Sequence, residues 1–205
     1  MRIISGLFKG RRLTAPNGLT IRPTPDKVKG AIFNIIGERI IESSFLDLFA
    51  GTGAIGIEAL SRGAREVIFV DNSIKAINII KENLQKIYDL RFTIYDLKSY
   101  APKSKISIIK GDAVEFIKKT GQQFDFIFLD PPYKSDLGEG ALVEISRRNI
   151  LKENGEAIWE HYYKTEYRRQ NTEDRIKLKR TVRYGDTSLS FYNLSTDHCS
   201  LNILL

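Results

Sequence analysis

The feature that most constrains the fold of this 205-residue chain is a series of short apolar runs separated by helical patterns. The runs are FLDLFA, EVIFVD, ISIIKGD, FDFIFLD and EAIWEH, and helices are predicted between them over 54–62, 73–87, 112–120 and 137–148. Apolar runs without polar alternation are typical of parallel strands that helices cover on both faces. The later segment RTVRYGDTSLSFYNL predicts an antiparallel hairpin around a Gly185-Asp186 turn. The sequence therefore predicts an α/β fold with a mostly parallel sheet.

Positive charge is concentrated near the start of the chain. The formal net charge is +7, and residues 1–39 hold eight Lys and Arg residues against two acidic residues, a balance of +6. Residues 1–24 predict a basic N-terminal β-hairpin extension, because apolar residues flank turn signals such as Lys9-Gly10, and the main domain is expected over 25–205. A second basic stretch lies at 164–183. Two such clusters favour a polyanion as the partner.

Composition argues against several classes of protein. A single cysteine, Cys199, excludes an internal disulfide framework, and its spacing from His161 and His198 does not fit a zinc site, so no metal is expected. The chain has no apolar run long enough to span a membrane and no leader pattern. We therefore expect a cytoplasmic protein without a membrane partner.

The stretch LDLFAGTGAIGIEAL contains the pattern G-x-G-x-x-G at Gly51, Gly53 and Gly56. Such a turn can lie beside the pyrophosphate of a dinucleotide or beside S-adenosylmethionine, and the glycines alone leave both open. Asp71, 20 residues after Gly51, suits ribose hydroxyls in either ligand. Asp47 favours S-adenosylmethionine, because a carboxylate attracts its ammonium and sulfonium groups but repels a pyrophosphate.

Two more carboxylates follow predicted strands, so four are expected at the carboxyl edge of the sheet, where ligands bind. Asp112, after the third strand, suits an adenine amino group. Asp130 begins the motif DPPY, which continues as Pro131-Pro132-Tyr133. Two prolines stiffen the turn, so the Pro131 carbonyl and the Asp130 carboxylate offer two acceptors close together. They match the two hydrogens of an exocyclic amine, and Tyr133 supplies a ring for stacking on a flipped base.

The combined motifs FLDLFAGTGAIGIEALSRGA, VD, GDA and DPPY resemble those of class I methyltransferases that act on exocyclic amines. The opening MRIISGLFKGRRL, with RPTPDKVKGAIFN and RYGDTSLSFY, resembles the bacterial ribosomal small-subunit methyltransferase D family, which methylates a guanine amine in 16S rRNA. The resemblance covers the chain from Met1 to about Asn193, except segment 89–105. It implies a Rossmann-like fold with a seven-stranded, mostly parallel sheet and an N-terminal β-hairpin.

The resemblance also implies roles for particular residues and a partner. The cofactor would be S-adenosylmethionine, bound by Asp47, Gly51, Gly53, Asp71, Asp112 and Ala113. The catalytic residues that grip the target guanine would be Asp130, Pro131 and Tyr133. The partner would be 16S rRNA or the small ribosomal subunit particle, contacted by a monomer through Lys9, Arg11, Arg12, Arg22 and Lys27.

Three other functions remain open at this level. A dehydrogenase would account for the glycines but not for DPPY, and a non-enzymatic RNA-binding module would not account for the carboxylates after the strands. The strongest alternative is another amine methyltransferase, acting on adenine N6 in DNA or RNA or on a protein glutamine, because DPPY also suits that chemistry.

Overall fold

The computed structural model describes residues 1–15, 25–88, 104–132, 135–165 and 175–195. Arg22 and Tyr133 lie outside these ranges, and so do nearly all of the predicted 89–105 insertion and the tail beyond residue 195. No helix in the described part of the chain is both long and apolar enough to cross a membrane.

The described residues alternate strands and helices as the apolar runs predict. The helices are α1 (Asp26–Ile36), α2 (Ala54–Ser61), α3 (Ile74–Tyr88), α4 (Ala113–Lys119) and α5 (Leu137–Arg148), and a short 3-10 helix spans Gly37–Ile40. The strands are β1 (Ser44–Leu48), β2 (Glu66–Asp71), β3 (Lys105–Lys110), β4 (Phe124–Leu129), β5 (Leu151–Tyr162), β6 (Ile176–Tyr184) and β7 (Thr187–Leu194). The four helices predicted between the apolar runs are confirmed, with each end within about one residue, inside the usual scatter of helix boundaries.

The strands form one seven-stranded sheet in the order β3-β2-β1-β4-β5-β7-β6. The first five of these strands run parallel to one another, whereas β7 runs antiparallel to β5 and to β6. The predicted mostly parallel, Rossmann-like sheet and its terminal hairpin are therefore confirmed. Strand order reverses between β1 and β4, and in sheets of this kind a ligand-binding crevice opens at the carboxyl ends of the strands beside such a reversal.

Helices cover both faces of the sheet and make two apolar cores. α1, α2 and α3 pack on one face, and α4 and α5 pack on the other. All five residues of β1 are buried, and their side chains alternate between the cores, with Phe45 in the first and Leu46 in the second. Burial on both faces explains why the apolar runs show no polar alternation.

Residues 1–15 are the described part of the predicted N-terminal hairpin, and we call them the N-terminal segment. They contain an antiparallel bridge between Arg2 and Arg12. Two backbone amides of this segment, from Ile4 and Ser5, donate to the Glu58 carboxylate of α2, at 2.8 and 2.9 Å. Its apolar side chains join the core formed by α1, α2 and α3, and they are Ile3, Phe8 and Leu13.

Glu58 anchors the N-terminal segment from inside α2. Its carboxylate is fully buried, and it lies 3.7 Å from the equally buried Lys29 ammonium and 2.9 Å from the Arg62 guanidinium. Lys29 also donates to the Arg2 carbonyl at 2.5 Å. Burial lowers the pKa of the Lys29 ammonium, and the Glu58 carboxylate opposes this shift because it stabilises the charged form. The ion pair therefore ties α1, α2 and the N-terminal segment together.

Gly6 lets the N-terminal segment lie directly against the end of α2. Its φ is +81°, and a Cβ at this position would lie 1.8 Å from the carbonyl oxygen of Ser61. The next amide, from Leu7, donates to that same oxygen at 2.7 Å. A side chain at residue 6 is therefore excluded by both conformation and space.

Candidate active site

Strand register places three predicted site regions side by side at the carboxyl edge of the sheet. Leu48 of β1 pairs with Val70 of β2 and with Leu129 of β4. The residues that follow, Phe49, Asp71 and Asp130, therefore leave the sheet at the same level. Adjacent strands lie roughly 4.8 Å apart. Asp71 and Asp130 therefore lie on either side of Phe49, each about one strand spacing from the start of the glycine turn.

The turn after β1 is compact and is held by its own backbone. Phe49, Gly51 and Gly53 have positive φ values of 59°, 53° and 75°. The Gly53 amide donates to the Ala50 carbonyl at 2.7 Å. Phe49 is a non-glycine residue in a sparsely populated region, and such backbone strain is concentrated at functional sites.

Asp71 closes the turn from the end of β2. One carboxylate oxygen accepts from the Gly51 amide and the other from the Ser73 amide, both at 2.8 Å. A carboxylate oxygen can accept more than one hydrogen bond, so Asp71 retains acceptor capacity for ribose hydroxyls. Its observed contacts fix the direction of the carboxylate before a ligand arrives.

Gly56, the third glycine of the motif, serves packing. A Cβ on Gly56 would lie 2.3 Å from Cε1 of the Phe69 ring in β2. The Gly56 amide donates to the Asp47 carboxyl group at 2.9 Å. This glycine therefore brings α2 close to the sheet.

Asp47 lies beneath the turn and is 1% exposed. Burial raises its pKa to about 8; the hydrogen bond from Gly56 opposes this shift, and the Asp71 charge adds to it. At neutral pH the carboxyl group is therefore largely protonated in the free protein. A cationic ligand nearby would lower this pKa and favour the carboxylate.

Asp112 and Ala113 sit at the start of α4, beyond the end of β3. The Asp112 carboxylate accepts from the Glu115 amide at 2.9 Å, so it caps the helix, a role that aspartate often takes. The carboxylate retains acceptor capacity, so the predicted contact with an adenine amine is compatible with the cap. Ala113 is buried, with 4% exposure.

The turn after β4 carries the predicted amine-binding residues. Asp130 is partly exposed, Pro131 is buried and Pro132 is exposed. The Ser135 hydroxyl donates to the Pro132 carbonyl at 2.7 Å, which fixes the far side of the turn. Tyr133 lies outside the described residues, so its stacking role stays a prediction.

Comparisons with known proteins agree with this geometry. The family model described as "Conserved hypothetical protein 95" matches residues 1–193. The putative rRNA methyltransferase YlbH of Bacillus subtilis is 38% identical over 195 residues, which cover 94% of this chain and 98% of the relative. The ribosomal RNA small subunit methyltransferase D of Haemophilus influenzae is 36% identical over 156 residues, which cover 75% of each protein. The solved structure of the putative methyltransferase yhhF from Escherichia coli has a TM-score of 0.75 at 27% identity, covering 95% of this chain and 98% of that one.

This chain belongs to the ribosomal small-subunit methyltransferase D family. It is a class I methyltransferase that depends on S-adenosylmethionine, and the nicotinamide alternative is set aside. The residues present fit this cofactor: a buried carboxyl group lies under the glycine turn, and an oriented carboxylate ends β2.

Replacing Asp47 by asparagine in this methyltransferase is expected to raise stability at pH 7.5, by on the order of a few kcal/mol. The unfolded chain loses the Asp47 proton near pH 4 and the folded protein near pH 8, so the wild type loses stability as pH rises between these values. Asparagine keeps an acceptor for the Gly56 amide and does not titrate. Melting temperatures of both proteins from pH 4.5 to 8 measure the effect. A difference between them that does not change with pH would contradict the buried titration.

The predicted RNA-binding residues divide into two groups. Lys9, Arg12 and Lys27 are exposed, as a docking role requires. Arg11 instead turns inward: its guanidinium donates to the Ile87 carbonyl of α3 and lies 5.1 Å from the centre of the Phe8 ring. Arg11 therefore holds the N-terminal segment against α3, and its predicted RNA contact stays a prediction. Arg22 lies outside the described residues.

Asn83 of α3 is a site residue that sequence reasoning missed. It is fully buried; its side-chain oxygen accepts from the Thr14 amide at 2.7 Å, and its amide donates to the Thr52 carbonyl at 3.0 Å. Thr52 lies between Gly51 and Gly53, so Asn83 connects the glycine turn to the N-terminal segment. The available signal was a polar residue inside the apolar stripe of α3, between Ile80 and Leu84.

Proposed function

We propose that this protein transfers a methyl group from S-adenosylmethionine to the exocyclic N2 amine of a guanine in 16S rRNA of the small ribosomal subunit. The observation that supports the proposal most directly is the register of β1 and β4, which brings Asp130 beside Phe49 at the start of the glycine turn. A methyl donor on that turn and an acceptor nucleotide at Asp130 would be immediate neighbours.

The Asp130-Pro131 turn suits an aromatic amine. The lone pair of such a nitrogen is delocalised into the ring, which makes it a poor nucleophile. An acceptor on each N–H, from the Asp130 carboxylate and the Pro131 carbonyl, favours a pyramidal nitrogen and directs its lone pair towards the donor. Holding reactants in this geometry removes much of the entropic barrier to transfer.

Asp130 has a second role as the reaction proceeds. When bound, the cofactor supplies an electrophilic methyl group, and its carbon–sulfur bond breaks as the new nitrogen–carbon bond forms. Nitrogen gains positive charge at this stage, and the carboxylate stabilises it because it is already in position. The excess proton then leaves to Asp130 or to water.

The relatives support RNA as the substrate class. The Bacillus subtilis and Haemophilus influenzae proteins carry names that specify rRNA, and the second name specifies the small subunit. The choice of guanine N2 follows the family resemblance, and the choice of a particle over free RNA is part of the same proposal. The monomeric state and the cytoplasmic location stay predictions.

Mass-spectrometric mapping of modified nucleotides tests the proposed substrate. Small-subunit particles from a strain lacking this gene should gain one N2-methylguanine in 16S rRNA when incubated with the protein and cofactor. DNA carrying adenine, and glutamine-bearing protein, should gain no methyl group under the same conditions. A product at adenine N6 or at glutamine would replace the proposal with the corresponding alternative.

Exposed cations of the N-terminal segment are expected to bind RNA without acting in catalysis. Changing both Lys9 and Arg12 to alanine should weaken particle binding and reduce the slope of log affinity against log salt by roughly 2, about one unit for each lost phosphate contact. The affinity for S-adenosylhomocysteine should stay unchanged. Filter binding at salt concentrations from about 50 to 200 mM measures the slope of log affinity against log salt.

A matched control removes two cations from the other face of the sheet. Lys118 and Lys119 are exposed at the end of α4, which packs on the face opposite the one that carries the N-terminal segment. Their double alanine variant should bind RNA as the wild type does. Equal losses in both variants would show that only net charge matters and would contradict a docking role for the N-terminal segment.

A further inference from the structure

Aromatic and cationic side chains gather at the carboxyl ends of β5 and β6 and on the first turn of α1. We call this group the tyrosine cluster, and its members are Tyr162, Tyr163, Tyr184, Lys27, Lys164 and Arg183. None of these residues has a role in cofactor binding or at the Asp130 turn as described above. Four of them lie within or next to the second basic stretch, 164–183.

Strand pairing places the tyrosine cluster beside the Asp130 turn. Leu129, the last residue of β4, pairs with Trp159 of β5, and β5 continues for three more residues to Tyr162 on the side where the Asp130 turn begins. Tyr162 and Tyr184 both pair with Thr187 of β7. Paired residues point to the same face of a sheet, so the two tyrosines lie on one face with a single strand between them.

That face is the one covered by α1, and it leads towards the N-terminal segment. Tyr184 packs at the border of the core that contains α1, and the Lys27 ammonium lies 5.8 Å from the centre of the Tyr184 ring. The tyrosine cluster therefore continues the basic surface from the first turn of α1 to the acceptor side of the active site.

Tyr162 is exposed, Tyr163 and Tyr184 are partly exposed, and cations lie close to the rings of Tyr163 and Tyr184. Tyr162, although large and partly apolar, is 38% exposed, and its ring centre lies 4.7 Å from that of Tyr163. The Arg183 guanidinium carbon lies 3.6 Å from the centre of the Tyr163 ring, and the Lys164 ammonium lies 5.6 Å from it. Core packing does not explain a tyrosine as exposed as Tyr162.

Backbone hydrogen bonds hold the tyrosine cluster in place. The Tyr163 amide donates to the Asp186 carbonyl at 3.0 Å, and the Arg183 guanidinium donates to the Gly185 carbonyl at 2.7 Å. Asp186 is the nearby acid and sits in the same β6–β7 turn. The aromatic surface is therefore preorganised, which lowers the entropy lost when a flat ligand stacks on it.

Exposed aromatic rings among Lys and Arg side chains match one class of macromolecule. Single-stranded nucleic acids are held by stacking of unpaired bases on aromatic side chains and by cations along the phosphates. We propose that the tyrosine cluster binds the RNA strand next to the target nucleotide, with an unpaired base stacked on Tyr162. This inference rests on the proposed function, because it takes the target to be in RNA at the Asp130 turn.

Replacing Tyr162 by alanine tests the stacking contact. We expect the KM for small-subunit particles and the Kd for RNA to rise about 10-fold or more, in line with the loss of one stacked base. The affinity for S-adenosylhomocysteine should stay unchanged. Tyr162→Phe keeps the ring and should restore the wild-type KM, and Arg183→Ala should weaken RNA binding in the same assay.

Leu178→Ala is the matched control, because Leu178 is 57% exposed on β6 but lies six residues from Tyr184 towards the other edge of the sheet. It should leave KM and Kd unchanged. A wild-type KM in Tyr162→Ala, or equal losses in Leu178→Ala, would overturn the inference. Failure of the proposed function would look different, because the wild type itself would not methylate particles. The Kd values for RNA would then still show whether Tyr162→Ala binds RNA more weakly than the wild type.

Discussion

Replacing Asp130 by alanine is expected to slow methyl transfer by about 100-fold or more, the usual loss when a preorganised charge-stabilising group is removed. The variant loses both the acceptor that orients the amine and the charge that stabilises the developing cation. The affinity for S-adenosylhomocysteine should remain close to that of the wild type, because the glycine turn is fixed by Asp71 and by its own backbone. Single-turnover methylation of particles with tritiated cofactor measures the rate.

Asparagine at position 130 separates orientation from proton removal. Its side-chain oxygen still accepts from an N–H, so Asp130→Asn should retain more activity than the alanine variant. If both variants are equally inactive, then orientation is insufficient and Asp130 must act as a base. A large loss of cofactor affinity in either variant would instead place Asp130 in the cofactor site.

The largest effect on stability is expected from Glu58. Replacing it by alanine should lower the free energy of unfolding by about 3–5 kcal/mol, the typical cost when one partner of a buried ion pair is removed. The change leaves the buried Lys29 ammonium without its carboxylate and removes the acceptor for the Ile4 and Ser5 amides. Urea denaturation followed by circular dichroism measures the loss.

Two further variants isolate the buried ion pair. Glu82, which pairs with Lys86 at the surface and also contacts the N-terminal segment through Thr14, should tolerate alanine with little change. The double change of Glu58 and Lys29 to methionine should be more stable than Glu58→Ala, because the fully buried Lys29 ammonium is no longer left without its carboxylate. A double variant that is no more stable than the single one would contradict this explanation.

The fold was predictable because its strongest signals are local. Strands of a sheet that is covered on both faces must be apolar throughout, and the five runs show this directly. The aspartates that end β2 and follow β4 were predictable for the same reason, since parallel strands send their carboxyl ends to one edge. Their side-by-side arrangement depends on strand order, which requires contacts between distant segments.

The contacts that the sequence did not reveal concern charged and polar side chains. Arg11 is a predicted RNA contact, and its sequence context does not indicate that its guanidinium also donates to the Ile87 carbonyl of α3. Glu58 and Lys29 are ordinary surface residues in sequence terms, and only the meeting of α1, α2 and the N-terminal segment gives them partners inside the protein. Asn83 was overlooked for a similar reason. Sequence patterns report the burial of apolar groups well, but they do not report which polar groups find partners.

The attachment of the N-terminal segment also determines when the protein can finish folding during synthesis. Residues 1–15 leave the ribosome early, but their hydrogen-bond partners in α2 and α3 lie 53 to 76 positions further along the chain. Contacts at such separations form slowly, because a long loop must close first. A nascent chain that ends before α3 therefore exposes Ile3, Phe8 and Leu13 to the solvent and to chaperones, and its cofactor turn lacks the support of Asn83.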